Sequence, residues 1–139
     1  MKLNHDCIRA ILCHIESTTN ITVNEDGIDI DFIAIEDFYE NLPSFEKADI
    51  FYSLSILDDA GFIDVKSSGG NDCVYEYYVR RMTYEGHEYL DGIRDEQRWT
   101  MVKKGLSKIG SASLSVVSAI AEGVTAAAID KYLKSTLST

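Results

Sequence analysis

Proline, cysteine and tryptophan are scarce in this sequence: its 139 residues contain one Pro, three Cys and one Trp. One Pro with nine Gly is too little for a collagen-like or low-complexity chain. Three cysteines cannot all pair within one chain, and no CxxC spacing is present, so we expect reduced thiols in the cytoplasm and no disulfide framework. The first apolar stretch, Ile8 to Ile15, is interrupted by Arg9 and His14, which argues against a signal peptide.

Apolar residues make up 45% of the chain and charged residues 26%, which is typical of a compact soluble domain. Acidic residues number 23 against 13 Lys and Arg, giving a net charge of −10. Residues 1–100 hold 21 acids and 8 bases, whereas residues 101–139 hold two acids and five lysines. The chain therefore has an acidic body and a weakly basic tail, and we expect two parts, a domain over residues 1–104 and an apolar association helix over residues 105–139. Such a body would on average repel a duplex phosphate backbone.

The sequence of the body predicts helices that alternate with β-hairpins. Apolar residues at helical spacing predict helices, and β-branched runs around Asn, Asp and Gly predict hairpins. Asn4 or Asp6 can cap the first helix and Ser44 the third, and a loop over residues 67–72, which contains two glycines, joins the strands of the second hairpin. The predicted elements are helix 4–17, hairpin 20–33, helices 36–42 and 44–60, hairpin 62–82 and helix 83–104.

This order predicts an α+β fold, a winged helix-turn-helix with a small β wing. In winged-helix proteins a wing strand is often followed by a phrase like Thr-x-x-Gly-x-x-x-Leu, and here Thr83, Gly86 and Leu90 match it. The core is expected to contain Ile8, Ile11, Leu12, Ile15, Phe32, Ile50, Leu54, Leu57, Phe62, Ile63, Tyr77, Val79 and Leu90.

The C-terminal segment carries only one charged residue, Glu122, between Ile109 and Ile129. It predicts a helix over about residues 109–135, apolar or small around most of its circumference, which must be buried in something. Two interpretations stay open: self-association or packing on the body, which we favour, and contact with a membrane. We expect a homo-oligomer, most simply a dimer, formed through Ala112, Leu114, Val116, Val117, Ala119, Ile120, Gly123, Val124 and Ala126.

Five segments resemble a known family of small bacterial and prophage-encoded proteins, the domain of unknown function 2513. They are Met1-Lys-Leu-Asn-His-Asp-Cys7, Leu57-Asp-Asp-Ala-Gly-Phe-Ile63, the stretch Thr83 to Asp95, Trp99, and Leu106 to Ser115. The resemblance covers nearly the whole chain. It implies a mobile-element setting in the bacterial cytoplasm and implies no reaction.

For function we favour a protein-protein interaction module whose acidic face docks on a basic protein, such as a host or phage nucleic-acid-handling protein. The alternative is a DNA-binding regulator contacting phosphates through Lys47, Lys66, Arg80 and Arg81. Against it, the residues expected on the exposed surface of helix 44–60 include four acids and only one base. They are Glu46, Lys47, Asp49, Ser53, Ser55, Asp58 and Asp59. A second alternative is a membrane-associated effector. No catalytic motif or metal-ligand spacing is present, so we expect no enzyme, metal or cofactor.

Overall fold

The computed structural model of the chain describes residues 1–137 and is a mixed α/β structure, with six helices and five strands in that range. The elements are α1 His5–Thr18, β1 Ile21–Asn24, β2 Gly27–Ile30, β3 Ile33–Ala34, α2 Ile35–Asn41, α3 Lys47–Asp59, β4 Ile63–Gly70, β5 Cys73–Met82, α4 Tyr84–Asp91, α5 Glu96–Ile109 and α6 Leu114–Leu137. They form two compact units, Leu3–His87 and the chain from Glu88 onward. The predicted boundary at residues 104 and 105 lies inside α5.

The first unit is built around α1, which begins where the sequence predicts. Asn4 is its N-cap and accepts a hydrogen bond from the Cys7 backbone N–H at 3.0 Å. One face of α1 is buried, with Ile8, Ile11 and Ile15 completely inaccessible to solvent. This face packs against α3 and β5 and forms the core of the unit.

A three-stranded antiparallel sheet backs this core, in the order β3-β5-β4. β4 and β5 form the predicted second hairpin, but its turn is shorter than the predicted loop 67–72. The strands continue through Gly69 and Gly70, and the chain turns at Asn71 and Asp72, which both have positive φ, 53° and 61°. Asn and Asp are the non-glycine residues that best tolerate this conformation, which a two-residue hairpin turn needs.

The first hairpin, β1 and β2, is also present, but it forms a separate two-stranded sheet. The prediction of Phe32 as a core residue is wrong, since 47% of its surface is exposed. Phe32 lies between β2 and β3, where its ring contacts Tyr78 edge-on at 6.0 Å and two cations. Phe62 is only half-buried. The other predicted core residues are buried.

Helix α3 begins three residues later than predicted. Ser44 lies in a turn closed by the Phe45 N–H on the Leu42 carbonyl at 3.2 Å, and Glu46 occupies the N-cap position. Ser53, expected on the exposed face, is buried where α3 packs against α1, and it hydrogen-bonds the thiol of Cys7 there. The helix ends as predicted at Gly61, where φ is 76° and the next N–H, of Phe62, bonds the Leu57 carbonyl.

The predicted helix 83–104 is in fact two helices, α4 and α5. α4 ends at Asp91, the break begins at Gly92, and Asp95 caps the new helix by accepting a hydrogen bond from the Arg98 N–H at 3.0 Å. Gly105 lies inside α5. A Cβ there would lie 3.1 Å from Ile120 of α6, so the glycine permits a close approach of these helices.

Helix α6 begins at Leu114 and not at residue 109, because Gly110, with φ of 91°, ends α5 first. α6 packs against α5 in the second unit, and Val117 and Ala121 are buried. Over residues 1–137, none of the helices combines the length and the apolar character needed to cross a membrane.

Candidate functional site

A groove of about 370 Å³ lies between α2, α3 and strand β5 in the first unit. Nine residues line it: Ile35, Tyr39, Phe51 and the six residues from Asp72 to Tyr77. Two helices thus supply one wall, and a continuous stretch of strand supplies the other.

The groove exists because β3 is only two residues long. β3 pairs with β5 at Ile33–Val79 and Ala34–Tyr78, and the chain then enters α2 at Ile35. Glu36 and Asp37 in the first turn of α2 favour a helix start at this point. Within residues 1–137, β5 from Cys73 to Tyr77 therefore has β4 as its only neighbouring strand.

Aromatic rings dominate the walls of the groove. Phe51 of α3 contacts Tyr77 of β5 edge-on, with ring centroids 5.4 Å apart and planes at 72°. Tyr75 lies at a β-bulge of β5, where no residue of β4 pairs with it, and is 68% exposed. Tyr39 of α2 adds a fourth ring. Such rings present electron-rich faces that attract cations.

Tyr77 is the most deeply placed of these rings. It is 7% exposed, and its buried hydroxyl has no hydrogen-bond partner among the residues that the structure describes. Burial raises the pKa of this hydroxyl well above its usual value, and the carboxylates of Asp58 and Asp59 on α3 raise it further. Tyr77 therefore stays protonated and keeps a hydrogen-bond donor to offer.

The charge around the groove is negative. Asp72 and Glu76 are in the lining, and none of the nine lining residues is Lys or Arg. Burial raises the pKa of the Tyr39 hydroxyl, and the nearby Glu36 carboxylate adds to the effect. The ammonium of Lys47, at the start of α3, lies 5.4 Å from the centre of the Tyr39 ring. The chain's own lysine thus shows that this ring accepts a cation.

The four residues proposed for DNA contacts do not form one surface. Lys66 and Arg80 come together at Phe32, 5.7 and 5.9 Å from its ring centre. Arg81 forms an ion pair with Asp64 at 3.0 Å, and Lys47 lies on Tyr39. A second groove, of about 220 Å³, adjoins the Phe32 cluster and is lined by Phe32, Lys66, Ser67, Ser68, Glu76 and Tyr78. Glu76 brings a negative charge into it.

The residues proposed for self-association differ in their exposure to solvent. Ala112 precedes α6, and Val117 is buried. Leu114, Val116, Ile120 and Val124 are half-buried, whereas Ala119, Gly123 and Ala126 are exposed. The small residues thus remain the accessible part of the predicted set.

No metal site is described in the structure: within residues 1–137 no three His, Cys, Asp or Glu side chains come together in a way that could hold a metal ion. The aromatic groove is the feature that sequence reasoning missed. The tyrosines at positions 75 and 77 are visible as a pattern of period two, but their meeting with Tyr39 and Phe51 depends on where β3 stops.

The comparisons with known proteins give a family. The sequence matches the family described as "Hypothetical protein (DUF2513)" over residues 2–113. It is 28% identical over 128 residues to a Haemophilus influenzae protein named "Uncharacterized protein", covering 89% of this chain and 95% of that relative. No solved structure gives a significant match. The chain therefore belongs to the DUF2513 family, as the resemblance of its motifs indicates.

Proposed function

We propose that this chain is an acidic protein-interaction module that binds a positively charged segment of another protein. The observation that carries the proposal is the groove between α2, α3 and β5: four aromatic rings and two carboxylates, with no Lys or Arg among its nine lining residues. Aromatic faces attract a cation at short range, and nearby carboxylates attract it over a longer distance, so the two contributions add.

A winged-helix fold for the body is part of the proposal. Its support is the order of elements in the first unit, in which α2 and α3 follow each other and the β4–β5 hairpin comes directly after. In such a fold α3 would be the recognition helix. Here that helix carries Asp49, Asp58 and Asp59 against the single base Lys47.

These features favour a protein partner over DNA. Arg81 is paired with Asp64, so its charge is partly neutralised before any phosphate arrives. Lys66 and Arg80 are left as the concentrated cations of the hairpin, too few to offset a body with 21 acids and 8 bases. A partner with an exposed basic surface suits the groove, and nucleic-acid-handling proteins of a host or phage have such surfaces. The setting that we propose for this partnership is a prophage-like one in the bacterial cytoplasm, as the family resemblance implies.

Fluorescence anisotropy with the full chain tests the proposal. The probes are a labelled peptide of four Lys-Val repeats, a matched peptide of four Glu-Val repeats, and a mixed-sequence DNA duplex, all at moderate salt. We expect binding of the Lys peptide alone. Glu76→Lys should weaken that binding several-fold, whereas Glu25→Lys, the same charge change in the β1–β2 turn, should have a much smaller effect. Tighter, salt-sensitive binding of the duplex would overturn the proposal.

Self-association through α6 is a second proposal, supported by the exposed small residues Ala119, Gly123 and Ala126. Small side chains let two helices approach closely. Light scattering on the full chain should give a dimer. Gly123→Leu should weaken it, because a Cβ at Gly123 meets nothing in the monomer and the added bulk would meet only the second copy. Ser115→Ala is the control, and a monomeric full chain contradicts the proposal.

A further inference from the structure

We propose that the cationic partner segment binds as an added β-strand along the edge of β5 from Cys73 to Tyr77. The inference deepens the proposed function and rests on it. Beyond Ala34, where β3 ends, this side of β5 has no neighbouring strand within residues 1–137. The groove lies at this same edge, since residues 73–77 are in its lining.

The backbone of this edge is suited to strand addition. A strand next to another strand uses the N–H and C=O groups that point away from its existing neighbour, here β4. Five residues of extended chain span about 16 Å, enough for five residues of a partner. Unpaired edges are commonly blocked by Pro, Lys or a β-bulge. The segment Cys-Val-Tyr-Glu-Tyr contains neither Pro nor Lys, but it is bulged at Tyr75, so the added strand would pair on either side of that residue, at residues 73–74 and 76–77.

The side chains then define what the added strand must carry. Side chains of regularly paired residues alternate between the two faces of a sheet, so the partner residue beside Tyr77 enters the aromatic side of the groove, where Phe51 contacts the Tyr77 ring. Lys or Arg at that position would meet the rings of Phe51 and Tyr77. Its neighbour would lie beside Glu76 on the other face, where Glu76 accepts a hydrogen bond from Ser68 at 3.3 Å.

Charge complementarity identifies the occupant as a basic segment of another protein. The β1–β2 hairpin of a second copy is itself acidic, with Glu25, Asp26, Asp29 and Asp31, and would be repelled by Asp72 and Glu76. A strand with Lys or Arg at every second position is attracted by the same groups. Main-chain hydrogen bonds supply affinity in this mode of recognition, and the alternate side chains supply specificity.

Backbone N-methylation of the Lys-Val probe tests strand addition without changing a side chain or a charge. Methyl groups on the backbone nitrogens of the Lys residues remove the N–H donors of one edge of the peptide. Methyl groups on the backbone nitrogens of the Val residues remove the donors of the other edge. One methylated peptide should bind the full chain at least about ten-fold more weakly than the unmodified peptide, and the other within about two-fold, since only one edge meets β5.

The possible outcomes separate the two proposals. If both methylated peptides bind like the parent, or both lose binding equally, strand addition is wrong while binding of the unmodified peptide still supports the proposed function. If the unmodified peptide does not bind, the proposed function fails and this inference with it. Hydrogen exchange of the full chain gives an independent readout: the parent peptide should slow exchange of backbone amides in residues 73–77 and leave residues 21–30 unchanged. Unchanged exchange in 73–77 with the peptide bound contradicts strand addition.

Discussion

The two hairpins of the first unit are both predicted by β-branched and apolar runs around a polar turn, yet they have very different surroundings. In β1–β2, Val23 and Ile28 stand opposite each other and are 72% and 70% exposed. In β4–β5, Ile63 and Val79 are buried, at 2% and 0%. Alternation of apolar and polar residues therefore indicates which side chains share a face of a hairpin. It does not indicate whether anything covers that face.

The difference comes from the neighbours of each hairpin. β5 contacts α1 and α2 and gains a third strand, β3, on part of its free side. β1–β2 remains a two-stranded sheet, an arrangement that is marginal on its own in water. Matched substitutions in the two hairpins test this contrast.

The largest effect is expected from truncating one isoleucine in each hairpin. Ile63→Ala should lower the free energy of unfolding by about 2–5 kcal/mol, because it leaves a cavity in the core. Ile28→Ala should change it by less than about 0.5 kcal/mol, since the side chain is already solvated. Urea unfolding of both variants gives the two values, and similar losses would mean that β1–β2 is covered in solution.

A smaller effect is expected from the two glycines near the tip of β4–β5. A Cβ at Gly69 would collide with the backbone carbonyl of Cys73, whereas one at Gly70 would meet nothing within 4 Å. Gly69→Ala should therefore cost about 1–3 kcal/mol, the usual penalty for overpacking. Gly70→Ala should be within about 0.5 kcal/mol of wild type. Equal thermal unfolding midpoints for the two variants would contradict the strand register.

The third expectation concerns alkaline pH and Tyr77. The folded state raises the pKa of its hydroxyl, so above the ordinary tyrosine value near 10 the unfolded chain loses this proton first. Stability attributed to Tyr77 is intact below that pH and falls as the pH rises further. Tyr77→Phe should make the unfolding free energy less pH-dependent above about pH 10. Tyr75→Phe, at an exposed position of the same strand, is the control.

The smallest effect is expected at Asp58. Partial burial raises the pKa of its carboxyl, and the carboxylates of Asp59 and Asp64 raise it further, so its charge opposes folding. Asp58→Asn should raise the thermal midpoint slightly at neutral pH. The gain should disappear below about pH 4, where the carboxyl is protonated in the unfolded chain as well. A variant less stable than wild type at pH 7 would contradict this assignment.

Local signals in the sequence predicted most elements of the fold. Asn4 as a cap, Gly61 as a stop and the two hairpins are each determined by a few neighbouring residues, and each is confirmed. The errors occur where local signals compete. Helix 83–104 divides because the Gly92 to Asp95 stretch contains both a helix breaker and a new cap, which outweigh the apolar spacing on either side.

The candidate site could not be predicted in the same way. Its aromatic residues are separated by up to 38 positions, from Tyr39 to Tyr77, and only the packing of α2 and α3 on β5 brings them together. The open edge of β5 depends on the length of β3, two residues, which no periodicity can reveal. Phe32 was misjudged for a related reason: its apolar character predicted burial, while its actual neighbours are Lys66 and Arg80.

The hydroxyl of Thr83 has a consequence for how much the β4–β5 hairpin can vary in length. It donates to the Gly61 carbonyl at 2.6 Å and accepts from the Gly86 N–H at 3.2 Å, while the Thr83 N–H bonds the Phe62 carbonyl at 2.9 Å. The two ends of the hairpin are thereby fastened together at its base. Lengthening a surface loop costs little once its ends are held. Residues inserted between Asn71 and Asp72 would therefore extend the hairpin into solvent while α3 and the start of α4 keep their places.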